Sequence, residues 1–180
     1  MRDDLEKVLI DAGRIRQRVH ELAEQITRDY AGIASGVTIV PIMTGAMIFA
    51  SDLIREMPIK MKINLMTVSS YPGKSLQTQG SSLLAQQLGD IHNRHVLLVD
   101  DILDSGGTLK LVAPLLRELG AESVKTCVLL RKDRPAAREV QADYVGFDIP
   151  DEFVIGYGLD YDNVYRNLPD ICTLKASVYS

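Results

Sequence analysis

Two acids, Asp100 and Asp101, follow the apolar run Val96-Leu97-Leu98-Val99, and a string of small and hydroxylic residues, Asp104-Ser105-Gly106-Gly107-Thr108, comes just after. Carboxylates accept hydrogen bonds from a diol or bind a cation, and glycines beside hydroxyls let backbone N–H groups close on an anion at a helix start. Two charges about 6 Å apart at an effective dielectric of about 20 repel by roughly 2–3 kcal/mol. A cation or a hydrogen-bonding diol offsets that cost. The same string also fits an ordinary strand-to-helix turn with a cap, and the residues by themselves leave both readings open. No G-x-x-x-x-G-K-[ST] occurs, which excludes a P-loop.

The elements that must hold these residues are legible from periodicity. The branched-aliphatic run 96–99 suits a strand buried on both faces, which Asp100 and Asp101 are expected to end, and Leu109, Val112, Leu115, Leu116 and Leu119 recur at helical spacing. Strand, loop and helix place the acids at a strand's carboxyl end, where open α/β sheets bind ligands. Upstream, 8–10 reads as a short strand, Asp11 as an N-cap, and Ile15, Val19, Leu22, Ala23 and Ile26 as the apolar stripe of a helix over 12–30. A second buried strand at 37–42 meets Thr44-Gly45 and an apolar helix ending before Pro58, and 59–69 alternates like a half-exposed strand. Residues 70–80 are polar and glycine-bounded, a loop whose length makes a lid a live idea.

Val124, Cys127, Val128, Leu129 and Leu130 mark another strand within 122–130. From Arg131 onward Asp133, Arg134, Pro135 and Arg138 break the periodicity, and strand-like pieces follow at 144–147, 153–155 and 171–174. The expected class is α/β, a doubly wound, mainly parallel sheet in one domain over 1–180, with a core of about 8–131 and a small hood lobe of about 132–180 over the carboxyl edge.

Composition bounds the function. Of 180 residues 46% are apolar and 24% charged, which argues against disorder, and the net charge of −4 without a basic run leaves no nucleic-acid footprint. Cys127 and Cys172 show no metal or redox spacing and read as small core residues. Without a signal-like or 18-residue apolar stretch, no membrane association and cytoplasmic residence are the expectations.

At VLLVDDILDSGGTL the chain resembles the signature of the type I phosphoribosyltransferases, and more narrowly the hypoxanthine-guanine phosphoribosyltransferases. The resemblance extends over nearly the whole chain: RVHELAEQITRDY at 18–30 is similar to the family's first helix, VSSY at 68–71 to the edge of its flexible loop, and DYVGFDIPDEFVIGYGLDYDNVYR at 143–166 to its purine lobe. It implies the type I fold and a site for 5-phosphoribosyl-1-pyrophosphate (PRPP), in which Asp100 and Asp101 take the ribose hydroxyls and Asp104, Ser105, Gly106, Gly107 and Thr108 cradle the 5′-phosphate. It implies further that Lys132 donates to the purine's 6-oxygen, Phe153 stacks on the base and the Val154 backbone reads its edge. Asp160 would bind Mg²⁺ beside pyrophosphate in the purine lobe, Arg166 would contact pyrophosphate, Asp104 would act as catalytic general base, and Ser70 and Tyr71 would belong to the lid. An ammonium has donors only, so Lys132 suits an oxo group and leaves an amino group unpaired.

The chain departs from the family at the pyrophosphate loop, where Met43-Thr44-Gly45 stands in place of Leu-Lys-Gly. Thr44 and Gly45 still offer a hydroxyl and backbone N–H groups, with one positive charge fewer. The reaction implied is transfer of the phosphoribosyl group from PRPP to N9 of hypoxanthine or guanine, yielding IMP or GMP and pyrophosphate for purine salvage, in a dimer or tetramer. Two alternatives stay open: a non-catalytic regulator of this fold that senses PRPP or nucleotide, and a phosphoribosyltransferase for xanthine or a pyrimidine.

Overall fold

The computed structural model describes residues 1–67 and 88–179, so the lid residues Ser70 and Tyr71 lie outside the described part. Alternation of apolar and polar residues breaks down where strands are buried on both faces, and such strands build the larger sheet. β2 (Val37–Met43), β5 (His95–Leu103), β6 (Ser123–Lys132) and β7 (Tyr144–Ile149) run parallel, with β3 (Met61–Ile63) parallel on the outer side of β2 in the order β3-β2-β5-β6-β7. β4 (Met66–Thr67) pairs with the end of β2. The expected half-exposed strand over 59–69 is thus two short pieces, both on β2.

Successive side chains of one strand feed opposite layers. Leu97 and Val99 of β5 pack with Ile15, Leu22 and Ile26 of α1 (Ala12–Tyr30) and with Phe49 and Leu53 of α2 (Met47–Arg55). Val96 and Leu98 face the other way, onto Leu109, Val112 and Leu116 of α3 (Gly107–Glu118). The chain leaves β2 through α2 toward one edge of the sheet and leaves β5 through α3 toward the other. That reversal opens a crevice between the carboxyl ends of β2 and β5. The helix expected over 12–30 has these limits, and the Asp11 carboxylate caps it by accepting from the Gly13 and Arg14 N–H groups at 2.9 and 3.0 Å.

Two expectations are corrected. Asp100 and Asp101 do not end their strand: β5 runs on to Leu103 with its register to β6 unbroken, because Val128, Leu130 and Arg131 continue to pair beside it. The lobes are not divided by one cut at 131/132 either. β7 is the last strand of the larger sheet, parallel to β6, since its apolar residues complete the same core. A separate three-stranded antiparallel sheet orders β1 (Leu5–Ile10), β9 (Ile171–Leu174) and β8 (Val154–Ile155), so the N-terminal strand belongs with the C-terminal ones. Its own cluster of Ile155, Leu168, Cys172 and Leu174 is sealed by Leu5, Tyr161 and Tyr165. A 3-10 turn at Arg2–Asp4 and two short helices, α4 (Pro135–Arg138) and α5 (Ala176–Tyr179), complete the described elements. None of the helices among the described residues is long and apolar enough to cross a membrane.

Candidate active site

The crevice collects three loops. From β5, the run Asp100 to Leu109 lines a concavity of about 190 Å³. Gly106 supplies the sharp turn: its φ is +78°, and a Cβ there would lie 2.2 Å from a Val140 methyl, so only glycine fits without strain. The turn leaves the free N–H groups at the start of α3 beside Ser105 and Thr108, as an anion requires.

Asp100 is buried and Asp101 half-buried at the mouth of this loop. The Asp101 N–H donates to Asp100 Oδ1 at 3.0 Å and the Ile102 N–H to Asp101 Oδ1 at 2.8 Å. Burial, reinforced by the neighbouring Asp101 charge, pushes the Asp100 carboxyl well above the usual range. Burial also raises Asp101, held back by hydrogen bonds from Asp100 and the Ile102 N–H and by the charge of Arg166. Two adjacent acids this far from water are an unfavourable arrangement that a hydrogen-bond donor relieves.

The second loop follows β2. Thr44 is exposed, the Met43–Thr44 peptide is cis, and Gly45 packs flat against the Asp101 carboxylate, where a Cβ would lie 2.0 Å from Oδ2. On the other side Gly158, at φ +107°, brings its Cα against the Gly45 carbonyl. Arg166 binds there: Nη1 donates to the Gly158 carbonyl at 2.6 Å and Nη2 lies 2.8 Å from Asp160 Oδ1. Asp160 also accepts from the Asn163 N–H at 2.8 Å. Asp160 and Arg166 are therefore held as a pair next to the Thr44-Gly45 loop. No group of three or more metal-ligating side chains forms among the described residues. A single hard carboxylate that shares its metal with substrate phosphates is nevertheless the usual Mg²⁺ arrangement, and Asp160 fits that donor chemistry.

The third part lies over the ends of β6 and β7. Lys132 ends β6, its side chain only 10% exposed, with Nζ 3.3 Å from Asp104 Oδ2 and 3.5 Å from Asp151 Oδ1. Partial burial works against the Asp104 charge, but the Arg134 hydrogen bond and the Lys132 charge outweigh it and hold the carboxyl below the usual range. Val154 is buried at the start of β8, and the half-exposed Phe153 ring meets Tyr161 edge-on, centroids 5.7 Å apart. The structure thus brings Asp100, Asp101, Asp104, Ser105, Gly106, Gly107 and Thr108 around one concavity, Thr44, Gly45 and Arg166 beside it, and Lys132 against Asp104. Sequence reasoning took Arg134 only as a break in periodicity and passed over Asp151. The available signal was two cations two apart at a strand's end, with a proline after the second.

Comparison with known proteins agrees with this geometry. A sequence profile described as a phosphoribosyl transferase domain matches residues 8–162. The chain is 41% identical over 181 residues to the hypoxanthine-guanine phosphoribosyltransferase of Mycobacterium tuberculosis, covering 98% of this chain and 89% of that one. It is 40% identical over 180 residues to the enzyme of the same name from Streptococcus pneumoniae, covering 100% and 99%. Among solved structures it superposes on a hypoxanthine phosphoribosyltransferase from Staphylococcus aureus with a TM-score of 0.88 at 42% identity, covering 100% and 97%. A Trypanosoma cruzi hypoxanthine phosphoribosyltransferase variant complexed with the product IMP gives 0.85 at 35%, covering 98% and 94%. The type I fold, the glycine turn after β5 and this full-length similarity agree, and the chain belongs to the phosphoribosyltransferases, among the hypoxanthine-guanine enzymes.

Proposed function

We propose that this site transfers the phosphoribosyl group of PRPP to N9 of hypoxanthine or guanine. The observation that carries the reading is the contact of Lys132 with Asp104 at the edge of the phosphate loop, a donor-only cation beside a carboxylate held ionised. In this reading Asp100 and Asp101 accept hydrogen bonds from the ribose hydroxyls, which relieves their mutual repulsion. The N–H groups from Ser105 to Thr108 and the two hydroxyls bind the 5′-phosphate. Phe153 stacks on the purine, the Val154 backbone reads its edge, and Lys132 donates to the 6-oxygen.

Nitrogen N9 supplies the electron pair of the new bond to the ribose carbon. The bond to pyrophosphate breaks with its pair going to the leaving oxygen, and the N7 proton passes to the Asp104 carboxylate. Thr44, Gly45 and Arg166 receive the pyrophosphate. A divalent ion, Mg²⁺ by the chemistry of the donors, would be held by Asp160 together with substrate oxygens and would neutralise leaving-group charge. The protein's own contribution is orientation and electrostatic stabilisation of charge. Ser70 and Tyr71 would shield the site from water, in a cytoplasmic enzyme active as a dimer or tetramer. Its partners would be small molecules: PRPP, the 6-oxopurine, pyrophosphate and the nucleoside monophosphate.

The test is pyrophosphate release from PRPP and Mg²⁺ with hypoxanthine, guanine or xanthine as acceptor. Turnover with the first two is expected, and no release with any oxopurine refutes the assignment. Asp104→Asn should lower kcat by about 10²–10⁴-fold with PRPP binding retained, the usual span for loss of a general base. Undiminished turnover in that variant would remove Asp104 from the chemistry.

A further inference from the structure

Four charged side chains close a ring over the ends of β6 and β7. Asp104 accepts from Lys132 Nζ at 3.3 Å through Oδ2 and from Arg134 Nη1 through Oδ1, while Asp151 lies 3.5 Å from Lys132 Nζ and 3.2 Å from Arg134 Nε. Each acid touches both cations, and each cation touches both acids. The backbone builds this arrangement: the Arg134 N–H donates to the Lys132 carbonyl at 2.9 Å and sets the two cations side by side. The Asp133 N–H donates to the Ile149 carbonyl at 2.8 Å, which brings the loop carrying Asp151 alongside.

On the reading above, Lys132 must turn to the purine's 6-oxygen and Asp104 to its N7 proton, so the contact between them opens when the base binds. We propose that Arg134 is a positioning residue, whose guanidinium clamps Asp104 to Asp151 and keeps Asp104 aimed when Lys132 leaves the ring for the purine. The two cations suit different tasks. An ammonium on a flexible stem reorients among acceptors, whereas a planar guanidinium, using Nη1 for one carboxylate and Nε for the other, makes a fixed cross-link. Lys132 turning to a neutral oxo group takes one counter-charge from Asp104, and Arg134 supplies the charge that remains. The charged groups facing Asp104 are Lys132 from the end of β6 and Arg134 from the loop into α4. Asp151, from the loop after β7, faces both cations, and Asp100 and Asp101 precede Asp104 on β5.

The experiment compares the full-length wild type with Arg134→Gln and Arg134→Lys. Wild-type turnover of PRPP with hypoxanthine comes first, since its absence overturns the assigned reaction rather than the role of Arg134. With an active wild type, Arg134→Gln should lower kcat/KM for hypoxanthine by about 10- to 100-fold, as a displaced catalytic group does, while KM for PRPP stays within about twofold. The acid side of the kcat/KM profile for hypoxanthine should move up by about one pH unit, because Asp104 loses a neighbouring cation. Arg134→Lys should move both quantities the same way by less, since one ammonium cannot bridge two carboxylates in fixed geometry. Arg134 is partly exposed, and thermal melting checks folding; should the Gln variant fail to fold, the Lys variant gives the decisive kinetics. Unchanged kinetics, or a loss shared equally between PRPP and hypoxanthine with an unmoved pH profile, would overturn the proposal.

Discussion

Asp100 shows how a residue's cost to the fold and its use in the site are one property. Its carboxyl is raised by burial and by Asp101, so the stability linked to it is fully present below the unfolded-state value of about 3.8 and is lost as pH rises through the folded value. At neutral pH this acid works against folding. Asp100→Asn is therefore expected to raise Tm by about 2–4 °C, the size of a typical gain of about 1 kcal/mol at a strained functional position. PRPP binding should weaken in the same variant, and calorimetry beside a thermal melt reads both. Asp104 has the opposite sign. Its depressed carboxyl contributes above the unfolded value and is lost as pH falls through the folded one. At Thr44 the change is one of charge: Thr44→Lys adds a cation at an exposed position and should lower KM for PRPP by about 3- to 10-fold, as one charge-assisted contact in partly solvated surroundings allows.

At the scale of elements, the glycines set how closely one loop approaches another. Gly158, in the loop after β8, leans on Gly45 after β2, which leans on Asp101 of β5, so two loops are stacked against the end of a strand. Gly158→Ala combines an unfavourable positive φ with a Cβ 2.2 Å from the Gly45 carbonyl, and should cost about 1–3 kcal/mol of stability while raising KM for PRPP. Urea unfolding with parallel kinetics tests both parts. The buried strands and α1 were legible in the sequence because period and capping are local: the stripe from Ile15 to Ile26 and the Asp11 cap needed nothing from elsewhere. The end of β5 was not, because its last residues stay in the ladder through Val128, Leu130 and Arg131, partners far along the chain. The glycine turn after β5 was likewise readable from adjacent residues, whereas the ring through Arg134 and Asp151 depends on two loops meeting across the ends of β6 and β7.

At the scale of the whole molecule, the loop after β5 and the segment holding Phe153 and Val154 rest on different sheets. The larger sheet carries the loops after β2 and β5, while the small sheet that includes Val154 is completed by β1, whose Ile10 and Leu5 cover its apolar residues. Lys7 also pairs with Glu152, next to Phe153, at 2.8 Å. Removing residues 1–10 should lower Tm by about 10 °C, through the lost burial of two large side chains and a strand, and should raise KM for hypoxanthine more than KM for PRPP. Equal rises would show that β1 supports both halves alike. The pairing of β1 with β9, Val8 opposite Cys172, bears on synthesis too. β1 waits for a partner made roughly 160 residues later in the chain, about 8–30 s at ordinary elongation rates. The loops after β2 and β5 can therefore be assembled on the growing chain before β8 and β9 exist. A chain ending near residue 150 and released from the ribosome should present residues 5–10 to a protease while β2, β5 and β6 resist it.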